Sequence, residues 1–148
     1  MKKFVYGLEQ LRRWRYLERE REESKLTAIL NEMKHLERSR QDLECAVQAA
    51  EESVAAAAPA IEELLSLDAY RGFANRERVR MSQIETGLRS KAEAQRQLLV
   101  EAERRLEALN RLKERKFSDW RRELDKEQET LVAELVVARW GRRERGEA

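Results

Sequence analysis

A chain of 148 residues that is 41% charged, with five glycines and one proline, has the composition of long helices or a coiled coil. Its 31 basic and 29 acidic residues nearly cancel to a formal +2, and apolar residues recur at helical spacing, which together exclude a disordered polyelectrolyte. One cysteine, Cys45, excludes an intrachain disulfide and suits a reducing compartment, and a core that is only a seam between helices leaves no deep cavity for a small-molecule substrate.

Helix one is expected over about residues 4–57. Phe4, Leu8 and Leu11 open it with an apolar stripe, and the wholly charged run Glu18 to Glu23 weakens the seam or shifts its register. From Leu26, steps of three and four residues give Leu26, Ile29, Met33, Leu36, Arg40, Leu43, Val47, Ala50, Val54 and Ala57. Nine of these ten positions are apolar, the heptad pattern of a coiled-coil face. Pro59 cannot continue a regular helix without losing a hydrogen bond and crowding the preceding turn. It marks a connector over about 58–67, which holds a helical turn at Ile61 to Leu65. Ser66 or Asp68 is placed to cap helix two, over about 68–140, with a tail at 141–148. Met81, Ile84 and Leu88 begin the apolar face of helix two, and Leu99, Ala102, Leu106 and Leu109 keep 3-4 spacing. Phe117, Trp120, Leu124, Leu131, Leu135 and Ala138 continue it closer to 3.6 spacing, as a rotating face or a stutter near Lys113. At ~1.5 Å per residue each arm would be roughly 80–100 Å long.

The expected fold class is all-α: a single domain, 1–148, of two long helices in an antiparallel coiled-coil hairpin with a short connector. Arms of similar length place residues whose numbers sum to about 140 opposite each other, as a short connection dictates. Phe4, Leu8 and Leu11 would then face Leu131 and Leu135, while Val54 and Ala57 would face Ile84 and Leu88. Charge blocks agree with a fold-back. Residues 41–70 hold seven acidic and no basic side chains, whereas residues 71–91 hold six basic and two acidic. Each exposed pair contributes only tenths of a kcal/mol, but the blocks together would fix register. A parallel homodimer kinked at Pro59 is the alternative.

Catalytic chemistry finds no foothold. Nucleotide-binding and nucleophile-elbow motifs are missing, and one His with one Cys cannot make a usual zinc site. His35 falls at the edge of the seam or outside it, and the carboxylate pairs Glu51–Glu52 and Glu62–Glu63 are splayed as neighbours on a helix. No enzymatic activity, cofactor or metal is expected. The stretch from Arg139 through Trp140 to Arg145 suggests phosphate contact, but acidic residues interleaved along both arms oppose a phosphate-tracking stripe, so no nucleic-acid partner is expected. Phe4, Leu8 and Leu11 beside basic residues make only a weak membrane-surface candidate, because the seam needs that face. Met1-Lys2-Lys3 begins like a secretory leader, yet Arg12, Arg13 and Arg15 interrupt any apolar core for one. The longest uncharged stretch, Ser53 to Ile61, is nine residues, against ~20 needed to span a bilayer. The expected location is the cytoplasm.

Aromatic residues gather at the free ends, at the bend and in the last third: Trp14, Tyr16, Tyr70, Phe73, Phe117, Trp120 and Trp140. A plain spacer needs none of them, and partly exposed aromatics anchor protein contacts. Phe117 and Trp120 are expected to pack on the facing helix. For Tyr70 and Phe73, packing and partner contact are equally open.

The opening Phe4-Val5-Tyr6-Gly7-Leu8-Glu9-Gln10-Leu11, followed by Arg12, Arg13 and Arg15, is similar to the start of the FliJ family of bacterial flagellar type III export proteins. That family is related to the YscO-like stalk proteins of injectisomes. Glu18 to Leu30 fits the continuation, Tyr70-Arg71-Gly72-Phe73 resembles a Tyr-x-x-Phe pair entering the second helix, and Leu106 to Trp120 resembles the family's charged stretch. The resemblance covers most of the chain through diffuse motifs. It implies a two-helix stalk that binds the hexameric export ATPase (FliI-like) and the export-gate protein (FlhA-like), promotes ATPase ring assembly and handles export chaperones. The stalk would be a monomeric hairpin when free, peripheral to the cytoplasmic face of the inner membrane through its partners. Phe73, with Tyr70, matches the gate-contacting segment, although Glu77 and Arg80 depart from the apolar pattern there. For the ATPase, the resemblance implies basic residues at the free end, such as Arg12, Arg13 and Arg122. A generic coiled-coil scaffold or dimerisation module is the other reading.

Overall fold

A computed structural model describes residues 3–146, and over these the protein is all-α. Helix α1 spans Glu9–Ala56 and α2 spans Ile61–Gly146. Met1 and Lys2, the start of the leader-like sequence, and Glu147 and Ala148, the end of the expected tail, lie outside the described residues. The expected antiparallel pairing of two long helices is present. Two compact units form: a terminal unit, Met1–Leu17 with Glu103–Ala148, and a bend unit, Glu18–Ala102. In each, a stretch of α1 runs antiparallel to a stretch of α2.

Both helices are built from strong helix formers, and their surfaces carry pairs three or four residues apart, such as Lys25 with Glu22 and Arg19 with Glu23. The connector is residues 57–60, shorter than the 58–67 expected. Pro59 biases Ala58 away from helical geometry, and α1 ends at Ala56. The helix then restarts at once, because the Ala60 carbonyl accepts the N–H groups of Glu63 (3.1 Å) and Leu64 (3.2 Å). Glu62 and Glu63 in the first turn favour the positive end of the helix dipole. The expected turn at Ile61 to Leu65 is therefore the start of α2 itself, which begins at Ile61 rather than near 68. Ser66 does not cap a helix; its hydroxyl donates to the Glu62 carbonyl at 2.9 Å.

In the bend unit the α1 seam is as the heptads predict from Leu26 to Val54, each position buried or half-buried, whereas Ala57 lies beyond the helix and is exposed. On α2 a strict 4-3 repeat emerges: Ala74, Arg78, Met81, Glu85, Leu88, Ala92, Gln95, Leu99 and Ala102 are all at least half-buried. Three polar members hide this repeat from a hydropathy reading. Each has a partner on α1: Arg78 forks onto Glu44 (2.6 and 2.9 Å), Glu85 accepts from Arg40 (2.6 Å), and the Gln95 amide donates to the Glu22 carbonyl (3.1 Å) and carboxylate. Ile84 leaves the seam and is exposed, since one residue's offset turns a helical side chain by about 100°. The expected facing of Val54 and Ala57 with Ile84 and Leu88 is overturned. Residues 51 and 71, 44 and 78, and 40 and 85 face each other, a register near 122 in place of about 140. The connector sets this value: α1 ends at Ala56 and α2 begins at Ile61, so facing residues sum to little more than the bend itself allows, whereas about 140 followed from taking the two arms as equal in length.

The terminal unit shows the same displacement. Phe4 meets Phe117 (centroids 5.2 Å apart, 83° between planes) and Trp120 (5.8 Å), not Leu131 and Leu135. Phe117 and Trp120 themselves stack at 5.6 Å and 30°. Residues 4–6 are not helical as expected. Tyr6 turns inward, is buried, and its hydroxyl donates to the Leu109 carbonyl at 3.0 Å, while its own carbonyl accepts the Glu9 N–H. Leu8 and Leu11, expected on the seam, are exposed, and Arg12 and Arg15 are half-buried in their stead. At the other end α2 runs through Gly141 to Gly146, where Arg143 and Arg145 suit the negative pole of the helix.

Candidate partner-binding surfaces

In the bend unit, α2 carries the aromatic pair on its third turn. Tyr70 is half-buried and, with Ala50, Val54 and Leu67, lines an open groove between the helices. Phe73, one turn on, stacks against Tyr70 at 6.2 Å and 28° and is 46% exposed. Packing thus holds one ring and presents the other. The first turns of α2 add exposed Ile61, Leu64 and Leu65. Arg71 between the aromatics is engaged by Glu51 at 2.8 Å, and Glu77 and Arg80 pair with each other at 3.2 Å.

The three arginines of the terminal unit differ in availability. Arg12 is committed: its guanidinium grips Glu9 at 2.6 and 3.1 Å, and Lys113 of α2 reaches the same carboxylate at 2.9 Å. Hydrogen bonds from Arg12 and then Lys113 hold the Glu9 carboxyl down at about 2, and Glu9 raises Arg12 in return. Arg13 is largely exposed, 3.7 Å from Glu9, and Arg122 is exposed, 3.8 Å from Asp119. Trp14, next to Arg13 in the chain, is half-exposed, with the Arg15 guanidinium 4.7 Å over its ring. The three arginines are therefore one anchor and two exposed, loosely paired cations rather than three equivalent contacts.

A third surface was missed. After Trp120, α2 of the terminal unit continues to Gly146 with every residue exposed except half-buried Leu124 and Gly141. Leu131 is 58% exposed, Leu135 68% and Trp140 71%, with Val132, Val136 and Val137 alongside. The stripe was legible, but the register of about 140 assigned it to the facing helix. A helix apolar on several sides is stable when something covers it, and the short start of the chain in this unit covers none of it.

Among the described residues no group of three or more His, Cys, Asp or Glu is arranged to hold a metal ion, and no helix is long and apolar enough to cross a membrane. His35 and Cys45 are exposed. Compared with family models, curated proteins and solved structures, the chain gives no match.

Proposed function

We propose that the protein is a non-catalytic stalk of the bacterial type III export apparatus, which binds the export ATPase and the export gate and promotes ATPase ring assembly. One observation carries the reading: α2 continues beyond the paired start of α1 and offers exposed apolar side chains together with arginines. Such an end has the chemistry of a protein-binding tip rather than of a spacer. Exposed Arg13 and Arg122 would meet acidic ATPase surfaces, with Arg12 and Glu9 fixing the helix start beneath them. Phe73, backed by Tyr70, would be the gate contact. The sequence resemblance to FliJ-like proteins supports the same partners, with export chaperones as further ligands, and a location at the cytoplasmic face of the inner membrane through those partners.

The test is co-elution with the same organism's export ATPase and with the soluble domain of its gate. Arg13→Glu with Arg122→Glu should weaken ATPase binding alone, and Phe73→Ala should weaken gate binding alone, with helicity unchanged in both. If the unaltered protein binds neither partner, the stalk reading is wrong. The second reading, a coiled-coil scaffold, draws on the same exposed apolar turns, which suit any helical partner.

A further inference from the structure

We infer that the end of α2 is a self-association helix: residues 124–142 pair with the same segment of a second copy in antiparallel orientation. This pairing draws on the same exposed turns that carry the stalk reading, so the second copy and another protein would compete for them. The hairpin seam is satisfied within one chain, so the second copy is recruited only by what the hairpin leaves bare. From Leu124 the spacing 4, 3, 4, 3, 4 selects Leu124, Gln128, Leu131, Leu135, Ala138 and Arg142, a heptad seam. Leu131 and Leu135, its centre, are both more than half exposed. Among the described residues no ion pair engages Asp125, Glu127, Arg139 or Arg142, so the charges flanking this stripe are as unpartnered as its apolar side chains.

Charge order chooses the occupant and the direction. Residues 123–129 hold four acidic side chains and one basic, and residues 139–145 hold four basic and one acidic. An antiparallel pair centred near Ala133 stacks Leu131 on Leu135 of the second copy. It brings Asp125 to Arg139 and Glu127 to Arg142, each twice by the two-fold symmetry. A parallel pair sets Glu134 near Arg139 but leaves Asp125 and Glu127 without opposite charges. The unfavourable meetings in the antiparallel pair are Glu134 with its own copy and Arg142, a seam position, opposite Leu124. Val132 widens the apolar contact on the flank away from Glu134, and the helix is already formed in the single chain, so pairing does not have to order it.

Sedimentation of the full chain over a wide concentration range tests this. The expected result is a reversible shift from the 17.5 kDa chain to twice that mass. Asp125→Arg with Glu127→Arg, and separately Arg139→Glu with Arg142→Glu, should each weaken the dimer by about tenfold or more, because four attractive contacts become repulsive. All four substitutions in one chain should restore it. Leu131→Glu with Leu135→Glu should abolish it. A wild-type chain that stays at single mass at every concentration overturns the proposal. So does a dimer that survives Leu131→Glu with Leu135→Glu, or a fourfold variant that keeps its helicity and stays single.

Discussion

Arg40 of α1 and Glu85 of α2 meet at 2.6 Å at seam positions whose neighbours along each helix are apolar. The pair is partly shielded, and each partner satisfies the other at the place where a leucine would otherwise pack. Arg40 holds the Glu85 carboxyl below its ordinary value, and Glu85 raises Arg40. Removing Arg40 leaves a half-shielded Glu85 with its same-helix neighbour Arg89, whereas replacing both with apolar residues leaves an ordinary seam layer. Arg40→Leu alone should therefore lower the thermal midpoint more than Arg40→Leu combined with Glu85→Leu. Equal losses in the single and double variants would show that Glu85 without Arg40 carries no penalty in the seam.

Acid should loosen the terminal unit through Glu9. Its carboxyl sits at about 2 when folded, against an ordinary 4.5, so the folded state binds fewer protons and the stabilisation is complete above about 4.5. It is lost as pH falls from there towards 2. A Glu9→Gln variant should have a lower melting midpoint at neutral pH and a shallower decline through that acid window. Parallel curves for the two proteins would deny Glu9 this role.

Tyr6 is expected to pin the start of the chain. Tyr6→Phe keeps the buried ring and deletes the bond to the Leu109 carbonyl, a loss of about 0.5–1 kcal/mol. Tyr6→Ala removes the ring as well and should speed amide exchange in the first turn of α1. Unchanged exchange in Tyr6→Ala would mean that the start is held by Phe4 alone.

The register is testable with two neighbours on α2. Leu88 is buried in the seam and Ile84 is exposed, so Leu88→Ala should cost about 2–3 kcal/mol and Ile84→Ala less than about 0.5 kcal/mol. Chemical denaturation reads both. A larger loss at Ile84 would restore the register the sequence suggested.

How far that sequence could be read is clear from these residues. The α1 seam from Leu26 to Val54 was legible because all but Arg40 are apolar. The α2 seam was legible only at Met81, Leu88, Leu99 and Ala102, because Arg78, Glu85 and Gln95 are polar at heptad positions and their warrant lies on the other helix, in Glu44, Arg40 and Glu22. Pro59 located the bend correctly, but the helix restarts only two residues after it, at Ile61. The sum of about 140 rests on arms of equal length, whereas α2 is much the longer helix and the bend at residues 57–60 holds facing pairs near 122. That displacement, carried along the arms, assigned Leu131 and Leu135 to a seam that ends near Trp120. For the site, Tyr70 and Phe73 were legible as an aromatic pair, and which of them is presented followed only from the packing. Arg12 was indistinguishable from Arg13 until the helix phase set it beside Glu9 and Lys113.

The measurement closest to the central claim is ATP hydrolysis by the same organism's export ATPase, held at a concentration where it is mostly unassembled, with and without this protein. Stimulation together with ring formation is the result the stalk reading predicts, and it should fade with Arg13→Glu and Arg122→Glu. An active ATPase that is neither stimulated nor assembled by the protein would contradict the reading and leave a coiled-coil scaffold in its place.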